Sequence, residues 1–521
     1  MVIHELAVSG VGYHLLLSRE RGLLRLRNTR EGKMKKGLSI RVFIGSLLFL
    51  IGSGLTVIPG ASGAPVAFEN LTQDIGRGFG DNGNRYAWSM QEFDGDVYVG
   101  TWSAQLDYAA ILKDIGKGEI TDANFGNVLT GIKYIKSTGG EIWRYTDDQT
   151  WERVLDASKK DTGFRKMVEY NGMLYAGTQN SQGTNLYYSP DGSCWKPLKG
   201  GPMDDSNNIS IRTMLEYGGK LYVGTENNVT GGELWAYDGT TKTWTQQGVG
   251  QFDGDASVAE LAVHDGELYV GTWDFSDSYR LFRSDDGGNN FADVTPVFAG
   301  SSELSNLGVM MLQEFNDEFY LGTVNYTDGF TLLRTPDPSD PTGWEVITTN
   351  GLGDQSNAYA WSSVVWNDEL YLGTFNDGLY GGIYDPLPVP LDGRAQLWRS
   401  SDGLQWSEVM DDGFGSAFNY GIRTMTVADD RLFVGTASNF FIPDPATLNA
   451  STLRTLMGGD LEGIDLSYLR ACLSSIPAGN WIGTEIWASR PGSAPVPEPA
   501  TLLLLGSGLL ALAGLGRKKI R

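Results

Sequence analysis

The sequence predicts an all-β fold: a seven-bladed β-propeller of four-stranded blades, closed by an N-terminal strand, with partly helical insertions in blades one and seven. Three observations predict it. A phrase of apolar residue, Tyr or Phe, apolar residue, Gly and Thr occurs seven times, at 97–101, 174–178, 221–225, 268–272, 319–323, 370–374 and 432–436. Copies without an insertion between them lie 47 to 51 residues apart, the length of one four-stranded blade. Pairs such as Asp94-Gly95, Asn171-Gly172 and Asp265-Gly266 precede the phrase, and such pairs supply the positive φ of a two-residue hairpin turn.

Along the chain, residues 1–33 read as a spurious or non-mature extension before Met34. Met34-Lys35-Lys36 and Arg41, the apolar run 42–58 and the small residues Ala61 to Ala64 have the three-part layout of a secretory signal peptide over 34–63. The propeller is expected over 64–491. Ten positions before each repeated glycine, innermost strand A carries Met90, Met167, Met214, Leu261, Leu312, Ser363 or Met425. Strand C is expected around Trp143, Trp235, Trp398 and Trp487, and strand D begins at Trp151, Trp195, Trp244, Phe291, Trp344 or Trp406, whose bulk suits the wedge between blades. The seventh copy ends without a strand D, so residues 67–74 are expected to supply one and close the ring. Insertions at 104–138, 378–394 and 439–483 fall in the same kind of loop in adjacent blades, with helix expected at 108–112 and 466–470. They are expected to cap one face, with recognition there near Trp102 and Trp273, or else merely to cover apolar surface.

Charge and composition exclude several functions. The net charge is −23 and no Lys/Arg cluster occurs in the central region, so nucleic acid is not an expected partner. Acidity suits solubility outside the cell, or a calcium-binding surface. Of three histidines, His4 and His14 precede the expected mature chain, which leaves His264 alone before an Asp-Gly turn. Triads and histidine metal sites need a positioned imidazole with partners, so no metal site is assigned and His264 is expected to be a packed strand-end side chain. Cys194 and Cys472 form either one disulfide or two inert thiols.

The candidate site is a ring. Twelve residues before each repeated glycine stand Trp88, Arg165, Arg212, Ala259, Met310, Trp361 and Arg423. At one level of a propeller, these arginines and tryptophans could converge on the central channel and offer guanidinium forks and flat faces. The competing reading turns them between blades, with the arginines paired to Glu92, Glu169, Glu216 and Glu314. The candidate ligand-binding residues are thus Trp88, Arg165, Arg212, Trp361, Arg423, Trp102 and Trp273; no catalytic residue is assigned.

Two resemblances add to this. Pro497-Glu498-Pro499, an apolar stretch at 500–515 and a basic cluster of Arg517, Lys518, Lys519 and Arg521 resemble the PEP-CTERM sorting signal of Gram-negative bacteria, over 492–521. The resemblance implies exosortase-type machinery as partner, transient inner-membrane tethering through the apolar helix, and a cell-surface or matrix location among exopolysaccharide producers; an ordinary tail anchor is the alternative. Residues 284–291 resemble the Asp-box, or BNR, repeat of sialidase-like propellers, with shorter versions at 189–195 and 400–406; there the Asp caps backbone N–H groups. The expected function is a non-catalytic binding or scaffold protein for polysaccharide or another surface protein, with no cofactor unless calcium. The alternatives are a sialidase-like glycan-active enzyme, for which the Arg-Ile-Pro signature is missing, and a calcium-dependent adhesin using Asp253-Gly254-Asp255.

Overall fold

The computed structural model describes residues 65–107, 110, 113, 114, 117, 134–274, 279–301, 304–378, 393–438 and 482–491. Fourteen strands form seven antiparallel hairpins: Asn84–Phe93 with Asp96–Ser103, Gly163–Tyr170 with Met173–Gln179, Ser210–Tyr217 with Lys220–Glu226, and Ser257–His264 with Glu267–Trp273. Gly308–Phe315 with Glu318–Val324, Asn357–Trp366 with Glu369–Asn376, and Asn419–Ala428 with Arg431–Ser438 complete them. The end of each hairpin bridges to the start of the next, from Trp102 to Gly163 round to Ala437 with Tyr86, so the sheet is closed and propeller-like. Three of the hairpin turns hold positive φ without glycine, at Asn316-Asp317, Asn367-Asp368 and Asp429-Asp430, where short polar side chains tolerate the left-handed region.

The repeated phrase has a separate reason at each position. A Cβ on the repeated glycine would lie 2.5 Å from Ile211 at Gly177, 2.5 Å from Val258 at Gly224, 2.4 Å from Ile422 at Gly373 and 2.6 Å from Ala87 at Gly435. Only glycine lets the next hairpin's apolar residue seat against the strand, and the Gly435–Ala87 contact carries the pattern across the closure. The threonine hydroxyl is a relay. At Thr101, Thr225, Thr374 and Thr436 it accepts the N–H of Glu141, Glu233, Gln396 and Glu485, each at 2.8–3.0 Å. The tyrosine reaches the neighbouring turn, as where Tyr222 donates to the Gly287 carbonyl at 2.6 Å.

A second ring was not legible in advance. Sixteen residues before each repeated glycine stands a buried amide or carboxylate: Asn84, Asp161, Asn208, Asp255, Asn306, Asn357 or Asn419. At Asn84, Asn208, Asn357 and Asn419 it donates to an acidic or amide partner, as Asn84 does to Glu141 at 2.6 Å and Asn419 to Glu485 at 2.9 Å. Where it is Asp, the partner becomes a donor, Asn185 to Asp161 at 2.7 Å and Arg280 to Asp255 at 2.5 Å. Donor and acceptor exchange places, so each of these pairs still sets a donor against an acceptor.

Outer strands extend each hairpin, as Leu234–Asp238 and Thr243–Gln247 extend the third. The seventh hairpin is extended by Ile486–Ser489, which pairs on its other edge with Phe68–Asn70. Arg431 to Glu69 at 2.5 Å and Arg77 to Glu485 at 2.8 Å reinforce that junction. The segment expected to complete the seventh copy therefore does pair there. The apolar core is distributed between neighbouring hairpins, one cluster joining Ala87, Met90 and Val99 to Phe433 and Ile486 across the closure. The signal peptide, the sorting tail and, apart from Ala110, the expected insertion helices lie outside the described residues; the first insertion does contribute the short pair Gln105–Leu106 with Ile135–Lys136.

Candidate functional site

All seven residues twelve before the repeated glycine line one central cavity of about 340 Å³. The cause is local. In every hairpin the register slips at that residue, at Trp88, Arg165, Arg212, Ala259, Met310, Trp361 and Arg423, so each is the extra residue of a β-bulge. A bulge bends the strand and re-aims its side chain, here into the channel instead of between hairpins. The alternative pairing with Glu92, Glu169, Glu216 and Glu314 is not found. Glu92 instead accepts the N–H of Gly95 at 2.9 Å, and Glu314 stands 3.8 Å from His264.

One arc of the wall is ionic. Arg165 and Arg212 both reach Oε2 of Glu226, at 3.1 and 3.4 Å, and all three side chains are largely buried. Burial alone would raise the Glu226 carboxyl, yet the two guanidinium groups outweigh it and hold it below the usual carboxylate range. Burial, and then Arg212 beside it, push Arg165 well below the ordinary arginine value. Lys166 reaches Glu260 across the cavity at 3.4 Å. Arg423 differs from these. Its guanidinium lies over Trp361, 5.3 Å from the ring centre, and its buried Nε has no hydrogen-bond partner among the described residues. Burial lowers it to about 10, with Glu260 opposing and Arg212 assisting, so it remains a cation at neutral pH.

The other arc is aromatic. Tyr86, Trp88, Tyr359, Trp361, Phe375 and Tyr420 form one buried cluster, with Trp102 packed against it. The hydroxyl of Tyr86 meets that of Tyr420, and that of Tyr326 meets Tyr359. Burial raises Tyr86 above its usual value and Tyr326 to about 12, so these phenols stay protonated. Trp273 joins the same cluster and lies under Arg212, 4.7 Å from guanidinium carbon to ring centre. Trp88 likewise lies under Arg165 at 5.0 Å.

Trp273 is buried and Trp102 half-buried, both packed in this aromatic cluster, and the insertions expected to cap the channel lie largely outside the described residues. At the hairpin-turn end Glu169, Glu216, Glu314 and Val365 are exposed.

Other candidates resolve simply. His264 is 5% exposed and packs at a tilt against Phe319, as a strand-end core residue. The Asp255 carboxylate is taken by Arg280, which removes it from the Asp253-Gly254-Asp255 loop as a calcium ligand. Among the described residues no group of three acidic, His or Cys side chains is placed to hold a metal. Cys194 is exposed and unbridged; Cys472 lies outside the described residues. In the turns, Asp286 accepts the N–H groups of Asn289 and Asn290 at 3.0 Å each, and Asp191 those of Ser193 and Cys194 at 2.9 and 2.7 Å. Those bonds hold both carboxyls down to about 2.

Residues 495–518 match the PEP-CTERM protein-sorting motif. The chain is thus an exported surface protein, and its tail implies processing by exosortase machinery. No helix among the described residues is long and apolar enough to cross a membrane. No curated protein matches the chain. Among solved structures it is similar to a streptogramin B lyase at 9% identity, with 72% of this chain and 95% of that chain covered and a TM-score of 0.44. It is also similar to virginiamycin B lyase from Staphylococcus aureus at 9% identity (71% and 94% covered, TM-score 0.43), and to YCF48 bound to D1 peptide at 16% identity (58% and 84% covered, TM-score 0.38). These are likenesses of outline, and no activity follows from them.

Sequence reasoning missed Glu226, Lys166 and Glu260. Glu226 stands directly after a repeated Gly-Thr, the position of Trp102 and Trp273, so a charge in a row otherwise largely aromatic or apolar was the available signal.

Proposed function

We propose that this chain is a non-catalytic binding or scaffold protein of a Gram-negative cell surface or matrix, built on a seven-bladed β-propeller of four-stranded blades over 64–491. Each hairpin with its two outer strands is one blade, and Phe68–Asn70 supplies the last strand of the seventh. The turns at 189–195, 284–291 and 400–406 are read as relatives of the Asp-box, which bears on fold and not on chemistry. Residues 34–63 act as the export signal, and the apolar stretch at 500–515 tethers the protein to the inner membrane until exosortase-type processing.

The ligand is a polysaccharide or surface-protein group seated in the central cavity. One observation carries this reading: seven bulges aim the least uniform residues of the repeat into one space, where Arg165, Arg212 and Arg423 meet Trp88 and Trp361. The carboxylates there are engaged by cations, as Glu226 is by two arginines, which suits recognition and leaves neither poised as a general acid. The test is to screen matrix polysaccharides and sialosides against the protein for binding and turnover, with and without calcium. Arg165→Ala, Arg212→Ala and Arg423→Ala should each weaken binding. Turnover of any glycan would replace this reading with the enzymatic one, and undiminished binding in all three variants would reject the site.

A further inference from the structure

The cavity holds more positive charge than negative, inside a chain whose net charge is −23. Arg165, Arg212, Arg423 and Lys166 face only Glu226 and Glu260, an excess of two positive charges. Their hydrogen-bonding capacity is also underused. Arg423 donates no hydrogen bond to any described residue and its Nε is buried. Arg165 Nε is likewise buried without a partner, and Arg212 Nη2 has only the thioether of Met310, at 3.7 Å. Burying a guanidinium without an acceptor is costly, and stacking over Trp361 offsets only part of that cost.

We infer that the cavity is an anion site, taking a compact ligand with a carboxylate or phosphoryl group and up to two negative charges, held by Arg423 and Arg212. The inference rests on the reading of the propeller as a binding module and specifies its ligand. Planar guanidinium forks match both oxoanions in bidentate fashion. The volume of about 340 Å³ lies within the roughly 300–1,000 Å³ of small-molecule sites, room for one sugar-sized group and not for a length of polymer. A polyanion would therefore insert only an end or a branch.

The experiment measures thermal unfolding and calorimetric binding of the full chain with sodium glucuronate, sodium phosphate and glucose, all at matched ionic strength in sodium chloride. Glucuronate or phosphate should raise Tm and bind at one site, and glucose should do neither; the stronger of the two anions identifies the ligand as carboxylate or phosphoryl. Arg423→Gln should reduce anion affinity about tenfold or more, the worth of one charge-assisted bidentate contact. Because that variant removes an uncompensated buried cation, its anion-free Tm should equal or exceed the parent's, which separates lost binding from lost folding. Equal stabilisation by chloride alone, or anion binding unchanged in Arg423→Gln, would overturn the inference. Saturable binding of a neutral glycan with no response to either anion would also overturn it while sparing the binding-module reading. No response to any glycan or anion would sink both.

Discussion

The two arcs of the channel wall use one backbone device to opposite ends. In the first and sixth hairpins the bulge carries Trp88 and Trp361, and the residue after Gly-Thr is Trp102 or Phe375, so the wall is an aromatic plug. In the second and third the same two positions hold Arg165 with Gln179 and Arg212 with Glu226, so the wall is a charge network. Beneath both lie the same glycine contact, threonine relay and buried amide or carboxylate. The difference teaches that the hairpin framework fixes where a side chain points, and the bulge leaves its chemistry free.

Four measurements would break or sharpen that contrast. Trp361→Ala should cost about 4 kcal/mol in denaturant unfolding, since it opens a void in the plug and removes the ring under Arg423; added phosphate should not restore it. Glu226→Gln should cost about 3 kcal/mol by stranding Arg165 and Arg212, and here phosphate should recover part of the loss. If both variants respond alike to phosphate, the arcs are not chemically distinct. Gly177→Ala and Gly373→Ala should each cost about 2 kcal/mol, and by the same amount, because each meets an isoleucine methyl on its own arc at 2.5 and 2.4 Å. Unequal losses would mean that the framework is not shared.

A further effect is pH-dependent and confined to the aromatic side. Burial, then the charge of Asp354, raise Asp377 to about 7. A carboxyl raised on folding destabilises the folded state once ionised, with no penalty below its unfolded value near 4 and the full penalty above about 7. Asp377→Asn should therefore stabilise the protein at pH 8 and by progressively less toward pH 4. A gain independent of pH would refute the assignment.

Much of this was legible because it repeats. The seven glycines and threonines give the hairpins, and the missing strand after Trp487 points to a partner such as Phe68–Asn70. The level of Trp88, Arg165 and Arg423 was legible too, but its orientation was not. A bulge present in all seven copies leaves every spacing unchanged, so nothing in the repeat betrays the extra residue. The ring from Asn84 to Asn419 escaped notice because two of its seven members are acids and five are amides, and only the distant partner shows that the exchange is compensated. The packing of Trp102 against Tyr86 was not legible either, because the two stand in different strands and nothing in the repeat spacing pairs them.

The clasp of Phe68–Asn70 onto Ile486–Ser489 sets a timetable for an exported chain. Its two halves are more than four hundred residues apart, so the first to cross the membrane must wait for the second. Until then the seventh hairpin's partner strand has a bare edge, open to other chains. The sorting tail follows directly, so retention of that tail at the membrane would give the latch time to shut before release.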